Sequence, residues 1–255
     1  MADKILYTRS RSIRDVKTHY CPGCGHGIVH KLIGECLDEM NCREKTLLVA
    51  PVGCGVLAYN YFDVDAIEAP HGRAPAVATG MKRAQKDKLV ISYQGDGDLL
   101  AIGTAETIHA ANRGENITVI FINNAIYGMT GGQMAPTTME GQVTKTTPYG
   151  RDVSDVGYPI RACELLNTLM APYYIERVSV HDVPNILKAK KAIRRALQNQ
   201  VDGKGYSFIE VLSMCPTNWG VDAQTAADWV RDVMMPYYPL GVFRDKGTEE
   251  ASRVQ

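Results

Sequence analysis

Short apolar runs alternate with helical patterns along most of the chain. Apolar runs bounded by polar residues predict β-strands at 46–52, 65–69, 88–93, 117–122, 173–179 and 207–212. Apolar residues spaced three and four apart predict helices at 27–40, 73–86, 99–113, 160–170 and 183–200. Strands that alternate with crossover helices form a mostly parallel sheet with helices on both faces, so we predict an α/β fold.

Two segments depart from this alternation. Residues 127–155 are rich in Gly, Thr and Pro and show no periodicity, which indicates a long connection. The region from about 216 onward combines Trp219 and Trp229 with an apolar stretch at 234–240, and we interpret it as a tail that packs on a partner subunit. The length of 255 residues suits one large domain, which we assign to 1–255.

The charge balance narrows the classes of partner. The chain has 28 Lys and Arg residues and 28 Asp and Glu residues, so no net field favours nucleic acid or an anionic membrane surface. No apolar run approaches the roughly 20 residues of a membrane-spanning helix. Residues 1–5 contain no apolar signal region. We therefore expect a cytoplasmic protein with small-molecule or protein partners.

Two polar motifs follow predicted strands in the middle of the chain. A Gly-Asp-Gly motif at 95–97 follows the strand at 88–93, and an Asn-Asn pair at 123–124 follows the strand at 117–122. The carboxyl ends of parallel strands lie at one edge of a sheet, where ligands of α/β proteins bind. Glycines let a phosphate group approach the backbone, and the Asp96 carboxylate with an amide oxygen suits Mg²⁺. The pattern predicts a site for a diphosphate and its magnesium ion.

The seven cysteines form a second candidate site. Their odd number argues against a disulfide framework. Cys21 and Cys24 are three residues apart before a helix, and Cys54 and Cys215 each follow a predicted strand. Cysteine ligands in such a pattern bind zinc or an iron–sulfur cluster. From the residues alone, a four-cysteine metal site and a set of ordinary buried thiols are equally supported interpretations. We interpret the other three as two core residues and one rival ligand, namely Cys36, Cys163 and Cys42.

Five motifs in order give the chain a specific resemblance, from about residue 20 through 215. They are CPGCGHG at 21–27, VGCG at 52–55, HGRA at 71–74, QGDGD at 94–98 and NNAIYGMTGGQ at 123–133. Together they resemble the β subunit of the 2-oxoacid:ferredoxin oxidoreductases. Members of that family convert a 2-oxoacid, CoA and oxidised ferredoxin to acyl-CoA, CO₂ and reduced ferredoxin.

The resemblance implies the cofactors and their ligands. Asp96, the Asn124 side chain and the Ile126 carbonyl would hold Mg²⁺, which in turn holds thiamine diphosphate. Cys21, Cys24, Cys54 and Cys215 would hold one 4Fe–4S cluster. The cofactor-binding residues would be Gly53, Cys54, Gly55, His71, Gly72, Arg73, Gly95, Asp96, Gly97, Asp98, Tyr127, Gly128, Met129 and Thr130.

The resemblance also implies partner chains. Thiamine activation needs a glutamate beside the aminopyrimidine ring, and in this family that residue belongs to a pyrimidine-binding domain that has no counterpart in this sequence. We therefore assign no catalytic role to a particular residue of this chain, and predict an α subunit that supplies the glutamate and an isolated chain that is inactive. We further expect a γ subunit and a ferredoxin-like δ subunit, with ferredoxin as acceptor.

The substrate is the least specified feature. Members that act on 2-oxoglutarate-like substrates often carry a lysine at position 131, where this chain has Gly131. We therefore favour a branched-chain oxoacid such as 2-oxoisovalerate, with 2-oxoglutarate as the alternative. Two other classes stay open: a non-redox thiamine-dependent transferase subunit with structural zinc, and an iron–sulfur electron-transfer module with a vestigial thiamine site.

Overall fold

A computed structural model of the chain describes residues 7–248 and contains one seven-stranded sheet. The strand order is β2-β1-β3-β4-β6-β5-β7, and β7 alone runs antiparallel to its neighbour among the described strands. The strands are β1 (Thr46–Ala50), β2 (Asp65–Glu68), β3 (Leu89–Gly95), β4 (Thr118–Asn123), β5 (Tyr174–Ser179), β6 (Ser207–Leu212) and β7 (Gly241–Asp245).

Ten α-helices accompany the sheet within the described residues. They are α1 (His26–Glu39), α2 (Ala58–Tyr61), α3 (Ala74–Ala84), α4 (Thr104–Asn112), α5 (Val153–Val156), α6 (Ala162–Asn167), α7 (Val183–Val201), α8 (Pro216–Trp219), α9 (Ala223–Trp229) and α10 (Met235–Tyr237). In residues 7–248 no helix is both long enough and apolar enough to cross a membrane.

The sheet buries both of its faces, as the apolar runs require. Alternate strand residues point to opposite sides, so Ile91 and Ile120 join a core with α1 and α7, whereas Val90 and Val119 join a core with α3, α4 and α6. The central strands β1, β3, β4 and β6 consist of buried residues almost throughout. The prediction of a mostly parallel sheet with helices on both faces is confirmed.

The predicted helix at 99–113 is wrong at its start. The chain leaves β3 in a π-helical turn over Gly97–Ile102, and α4 begins after Gly103. A Cβ atom at Gly103 would lie 2.2 Å from the Asp98 carbonyl oxygen, so the wide turn requires glycine there. π-turns are frequent at functional sites because they reposition side chains.

The segment from 216 onward packs on the domain itself. Ala226, Val230, Met234 and Tyr238 are buried in the core, and β7 extends the edge of the sheet beside β5. The short helices and β7 carry too few periodic residues to have been predicted from the sequence. A contact between this segment and a partner subunit stays a prediction.

Candidate cofactor-binding site

Four neighbouring strands end at one edge of the sheet and open into a cleft of about 350 Å³. Twelve of the fourteen predicted cofactor-binding residues line it, whereas Gly72 and Arg73 do not. The full lining is His26, Val52, Gly53, Cys54, Gly55, His71, Gly95, Asp96, Gly97, Asp98, Ala101, Ile102, Asn124, Ile126, Tyr127, Gly128, Met129 and Thr130. No sequence pattern selected Ala101 and Ile102, which are ordinary apolar residues, and Val52 was named only as part of the VGCG motif.

Three oxygen-bearing groups converge at the floor of the cleft. The Asn124 side-chain amide atom that faces Asp96 lies 3.2 Å from Asp96 Oδ2 and 2.7 Å from the Ile126 carbonyl oxygen. If that atom is nitrogen, it donates to both oxygens. If it is oxygen, three oxygens face one another at separations close to the roughly 3 Å edge of an octahedron around Mg²⁺. The residues therefore fit a magnesium ion, with the amide oxygen turned inward.

The neighbouring Asn123 has a different task. Its side chain donates to Glu210 Oε1 at 2.8 Å, and its Oδ1 accepts from the Ala125 backbone N–H at 3.2 Å. Ala125 adopts a φ of 56°, a conformation that few non-glycine residues take, and its carbonyl accepts from Thr138 Oγ1. Asn123 and Thr138 thus hold the strained turn that brings Asn124 and Ile126 to the same point.

Asp96 is buried, and its carboxylate accepts three hydrogen bonds. Thr137 Oγ1 donates to Oδ2 at 2.9 Å, the Ile126 N–H donates to Oδ2 at 3.1 Å, and the Gly97 N–H donates to Oδ1 at 2.9 Å. Burial raises the pKa of Asp96 to about 7 despite these bonds, because the charged form is removed from water. A bound divalent cation would compensate this charge. Thr137 lies in the aperiodic segment, where no sequence signal identified it.

Asp98 ties two loops and the end of β3 to the wall of the cleft. Its Oδ1 accepts from His71 Nδ1 at 2.7 Å and from the Gly72 N–H at 2.8 Å, and also from the Val52 N–H at 3.3 Å. Its Oδ2 accepts from Gln94 Nε2 at 2.6 Å. The side chain is fully buried. Asp98 therefore positions the residues around the cofactor site.

Arg73 is engaged away from the cleft. Its guanidinium forms an ion pair with Glu106 on α4. The neighbouring Gly72 has a φ of 78°, and a Cβ there would lie 2.7 Å from backbone atoms of Ile102 and Gly103. The structure therefore shows the loop at 71–73 packed against the π-turn, with only His71 at the cleft wall. Cofactor contacts of Gly72 and Arg73 stay predictions.

Three glycines shape the cleft wall. A Cβ atom at Gly53 or Gly95 would meet no atom within 4 Å, so each leaves backbone bare toward open space. A Cβ at Gly97 would instead lie 2.9 Å from the Tyr127 ring. Bare backbone beside a metal site suits a diphosphate, which needs close approach.

The four cysteines predicted as cluster ligands surround one cavity of about 50 Å³ beside the cleft. Burial raises the pKa of the Cys24 thiol to about 11 and that of Cys54 to about 12, and neighbouring thiols add to both shifts. Burial also raises the pKa of Cys215. The raised pKa values mean that these surroundings alone favour neutral thiols. A bound metal centre would instead favour the charged thiolates, because it binds them. Cys36, Cys42 and Cys163 lie in the apolar core and do not line this cavity.

Between residues 7 and 248, no three His, Cys, Asp or Glu side chains are arranged to hold a single metal ion. The magnesium set uses only one side chain of those types, so this finding does not bear on it. For the cysteines it means that they line one cavity without being arranged around a single ion.

An aromatic shell closes the cysteine cavity on one side. The Tyr20 ring stacks on His26 with centroids 4.9 Å apart, and His26 Nδ1 lies 2.5 Å from the Tyr93 hydroxyl. On the other side, Asn218 Nδ2 donates to the Gly128 carbonyl at 2.9 Å and to Cys215 Sγ at 3.4 Å. No sequence pattern marks Tyr20 or Asn218 as part of this site.

Comparison with known proteins places this geometry in a family. Residues 52–211 match the model of the thiamine pyrophosphate enzyme C-terminal TPP binding domain; thiamine pyrophosphate is thiamine diphosphate. The chain is 54% identical over 244 residues to ketoisovalerate oxidoreductase subunit VorA of Methanothermobacter thermautotrophicus, covering 96% of this chain and 51% of that protein. The chain thus spans about half the length of the VorA relatives.

Two further relatives match over more of their length. The chain is 39% identical over 202 residues to 2-oxoglutarate synthase subunit KorB of Methanocaldococcus jannaschii, covering 79% of this chain and 70% of that protein. The 2-oxoglutarate:ferredoxin oxidoreductase from Magnetococcus marinus, solved with 2-oxoglutarate, coenzyme A and succinyl-CoA bound, aligns with a TM-score of 0.75 and 25% identity, over 94% of this chain and 85% of that one. The chain therefore belongs to the thiamine pyrophosphate enzymes and, within them, to the subunits of the 2-oxoacid oxidoreductases.

Proposed function

We propose that this chain is the thiamine-diphosphate- and cluster-binding subunit of a 2-oxoacid:ferredoxin oxidoreductase. The complex would oxidise a 2-oxoacid with CoA to acyl-CoA and CO₂ and pass two electrons, one at a time, to ferredoxin. When bound, thiamine diphosphate and a 4Fe–4S cluster supply the electron sink for decarboxylation and the one-electron acceptor. The chain's own residues bind these groups and hold them next to each other.

One observation carries the proposal: the cleft and the cysteine cavity share a wall. His26, Cys54, Asn124 and Gly128 line both spaces. Asn124 is also the amide that faces Asp96 and the Ile126 carbonyl. A non-redox thiamine transferase has no use for a metal cluster in contact with its cofactor site. The shared wall therefore supports an oxidoreductase subunit over a non-redox transferase subunit with structural zinc.

The base that activates thiamine is expected from another chain. No glutamate lines the cleft among the described residues, and its two aspartates already bond to Thr137, His71 and backbone groups. This supports an α subunit that carries the pyrimidine-binding domain, with γ and ferredoxin-like δ subunits as further partners. The VorA and KorB relatives are themselves named as subunits.

For the substrate we favour a branched-chain 2-oxoacid such as 2-oxoisovalerate. The 54% identity to a protein named ketoisovalerate oxidoreductase subunit, against 39% to one named 2-oxoglutarate synthase subunit, supports this choice. The choice is tested by kcat/KM of the complex purified without oxygen. A higher kcat/KM for 2-oxoglutarate than for 2-oxoisovalerate would refute it.

The magnesium site is tested by calorimetric titration of thiamine diphosphate into the complex, with and without Mg²⁺. Asp96→Asn removes the charge but keeps an oxygen acceptor for the surrounding donors. We expect it to abolish Mg²⁺-dependent binding while the protein stays folded. Asp155→Asn, at an exposed position on α5, is the matched control. Wild-type affinity in Asp96→Asn would exclude this site.

The cluster is tested by iron and zinc analysis of anaerobically purified protein. We expect about four iron atoms and no zinc per chain, as one 4Fe–4S cluster requires. Cys54→Ser and Cys215→Ser should lower the iron content and change the visible spectrum. Cys42→Ala, a core cysteine outside the cavity, is the control. Zinc in place of iron would favour the transferase alternative.

A further inference from the structure

Tyr238 is a fully buried tyrosine whose hydroxyl is connected to an expected magnesium ligand. It follows α10, and its hydroxyl donates to the Thr137 carbonyl at 2.9 Å. The Thr137 side chain in turn donates through Oγ1 to Asp96 Oδ2, also at 2.9 Å. Thr137 is itself fully buried, so both hydrogen bonds are shielded from water. Two consecutive hydrogen bonds therefore connect Tyr238 with the floor of the cleft.

The Thr137 carbonyl lies in a row of backbone carbonyls that Arg151 otherwise holds. Arg151 donates to the carbonyls on both sides of it, namely those of Ala135, Pro136 and Thr138. The Thr137 carbonyl accepts from Tyr238 instead. A buried carbonyl needs a donor, so without the Tyr238 hydroxyl this peptide group would be free to turn toward another one. Such a turn would move the Thr137 hydroxyl that holds Asp96.

Tyr238 is held firmly enough to orient another residue. Its backbone N–H donates to the Met234 carbonyl at 2.7 Å. Arg177 donates to the carbonyl of the next residue, Pro239, at 3.1 Å, and its guanidinium lies 5.3 Å from the Tyr238 ring centroid. Arg177 is fully buried and forms an ion pair with Glu210 at 2.8 Å. The backbone and the ring of Tyr238 are therefore both fixed.

We propose that Tyr238 is a positioning residue of the magnesium site, which orients the Asp96 carboxylate through Thr137. This inference rests on the proposed function, because it takes Asp96 as a magnesium ligand. Mg²⁺ requires near-ideal octahedral geometry with oxygens at about 2.0–2.1 Å, so a small rotation of the carboxylate lowers the affinity for the ion. Tyr238 does not line the cleft, so it acts on the site only through the residues between them.

The test is calorimetric titration of thiamine diphosphate, with and without Mg²⁺, into the intact complex after dialysis against EDTA. Tyr238→Phe removes the hydroxyl and keeps the ring, and we expect the Mg²⁺-dependent affinity to fall about five-fold, as the loss of one buried hydrogen bond implies. Tyr237→Phe is the matched control, because that neighbouring hydroxyl also donates to a backbone carbonyl, the one of Pro159, at 2.8 Å. Its affinity should stay within about two-fold of wild type, although both variants lose one hydrogen bond of the same kind.

A double-mutant cycle with Thr137 separates positioning from a general loss of packing. Thr137→Val removes the hydroxyl that holds Asp96, so adding Tyr238→Phe to it should lower the affinity by less than about two-fold further. In Thr137→Ser, which retains the hydroxyl, Tyr238→Phe should again cause a loss of about five-fold.

Two results would overturn the inference alone. One is a full additional loss from Tyr238→Phe in the Thr137→Val background, and the other is equal affinity of Tyr238→Phe and Tyr237→Phe, while Asp96→Asn still abolishes Mg²⁺-dependent binding. Wild-type affinity in both Asp96→Asn and Tyr238→Phe would overturn the proposed magnesium site together with the inference.

Discussion

Replacing Asp98 should loosen two loops of the cleft and their attachment to the end of β3 at once, because one buried carboxylate holds them together. Its four donors are His71 Nδ1, the N–H groups of Gly72 and Val52, and Gln94 Nε2. In Asp98→Ala these donors lose their acceptor. A buried unpaired donor costs about 1–3 kcal/mol, but the His71 side chain is 42% exposed and can turn to water. The three remaining donors, at about 1–3 kcal/mol each, give an expected loss of roughly 3–9 kcal/mol.

Asp98→Asn should cost less. The side-chain oxygen that remains can still accept from the donors of the loops at 52 and 71–72. The new amide N–H₂ group, however, faces Gln94 Nε2, and both of these groups are hydrogen-bond donors. Gln94 can turn its amide, because its Oε1 accepts only from the rotatable Ser92 hydroxyl in the described structure. We expect a loss of about 1–3 kcal/mol. The double variant D98N/Q94E restores a carboxylate opposite the amide and should recover part of that loss.

The assay is urea unfolding followed by fluorescence of Trp219 and Trp229, combined with calorimetric titration of thiamine diphosphate in Mg²⁺. Asp155→Asn again serves as the exposed control. We expect the order wild type, Asp98→Asn, Asp98→Ala in both stability and affinity. If both variants unfold within about 0.5 kcal/mol of the control and bind the cofactor as wild type does, Asp98 does not organise the cleft.

Three further predictions concern the surroundings of the site. Gly97→Ala places a Cβ atom 2.9 Å from the Tyr127 ring, which must then move. The binding free energy of thiamine diphosphate should weaken by about 1–3 kcal/mol. Unchanged affinity in calorimetry would count against this contact in the cleft wall. Arg151→Lys removes a guanidinium that donates to the backbone carbonyls of Ala135, Pro136, Thr138 and Gly157. Backbone amides of this segment should then exchange with deuterium faster than in wild type. Equal exchange would contradict this role of Arg151. Glu210→Gln removes one of the two carboxylates that pair with the fully buried Arg177. It should lower the free energy of unfolding, measured by urea titration, by about 3 kcal/mol. A change below about 1 kcal/mol would show that the remaining Arg177–Glu164 pair alone stabilises the buried guanidinium.

The central strands were predictable because their signal is local. Strands β3 and β4 are buried on both faces, so each appears in the sequence as an unbroken apolar run. Parallel pairing then places their carboxyl ends side by side, so the sequence alone predicts that Asp96 and Asn124 lie close together. Prediction of the site followed from prediction of the sheet.

The 127–155 segment was not predictable, because its order comes from single side chains and not from periodicity. Arg151 is buried and bonds to the carbonyls of Ala135, Pro136 and Thr138, and Thr137 reaches back to Asp96. The sequence of this segment shows only an aperiodic stretch rich in Gly, Thr and Pro, which does not reveal these contacts. The partner of each polar group is fixed only by the tertiary fold.

The wall between the cleft and the cysteine cavity would connect the two halves of the proposed chemistry, cofactor binding and electron transfer. A Cβ atom at Gly128 would lie 3.0 Å from Cys54 Sγ and 3.7 Å from Cys215 Sγ, so a larger residue would press against both thiols. The same glycine lines the cleft and receives the Asn218 hydrogen bond through its carbonyl. Glycine here keeps the cofactor site and the thiols in direct contact. A chain that only bound thiamine diphosphate would gain nothing from this arrangement, whereas one that moves electrons from the cofactor to a cluster depends on it.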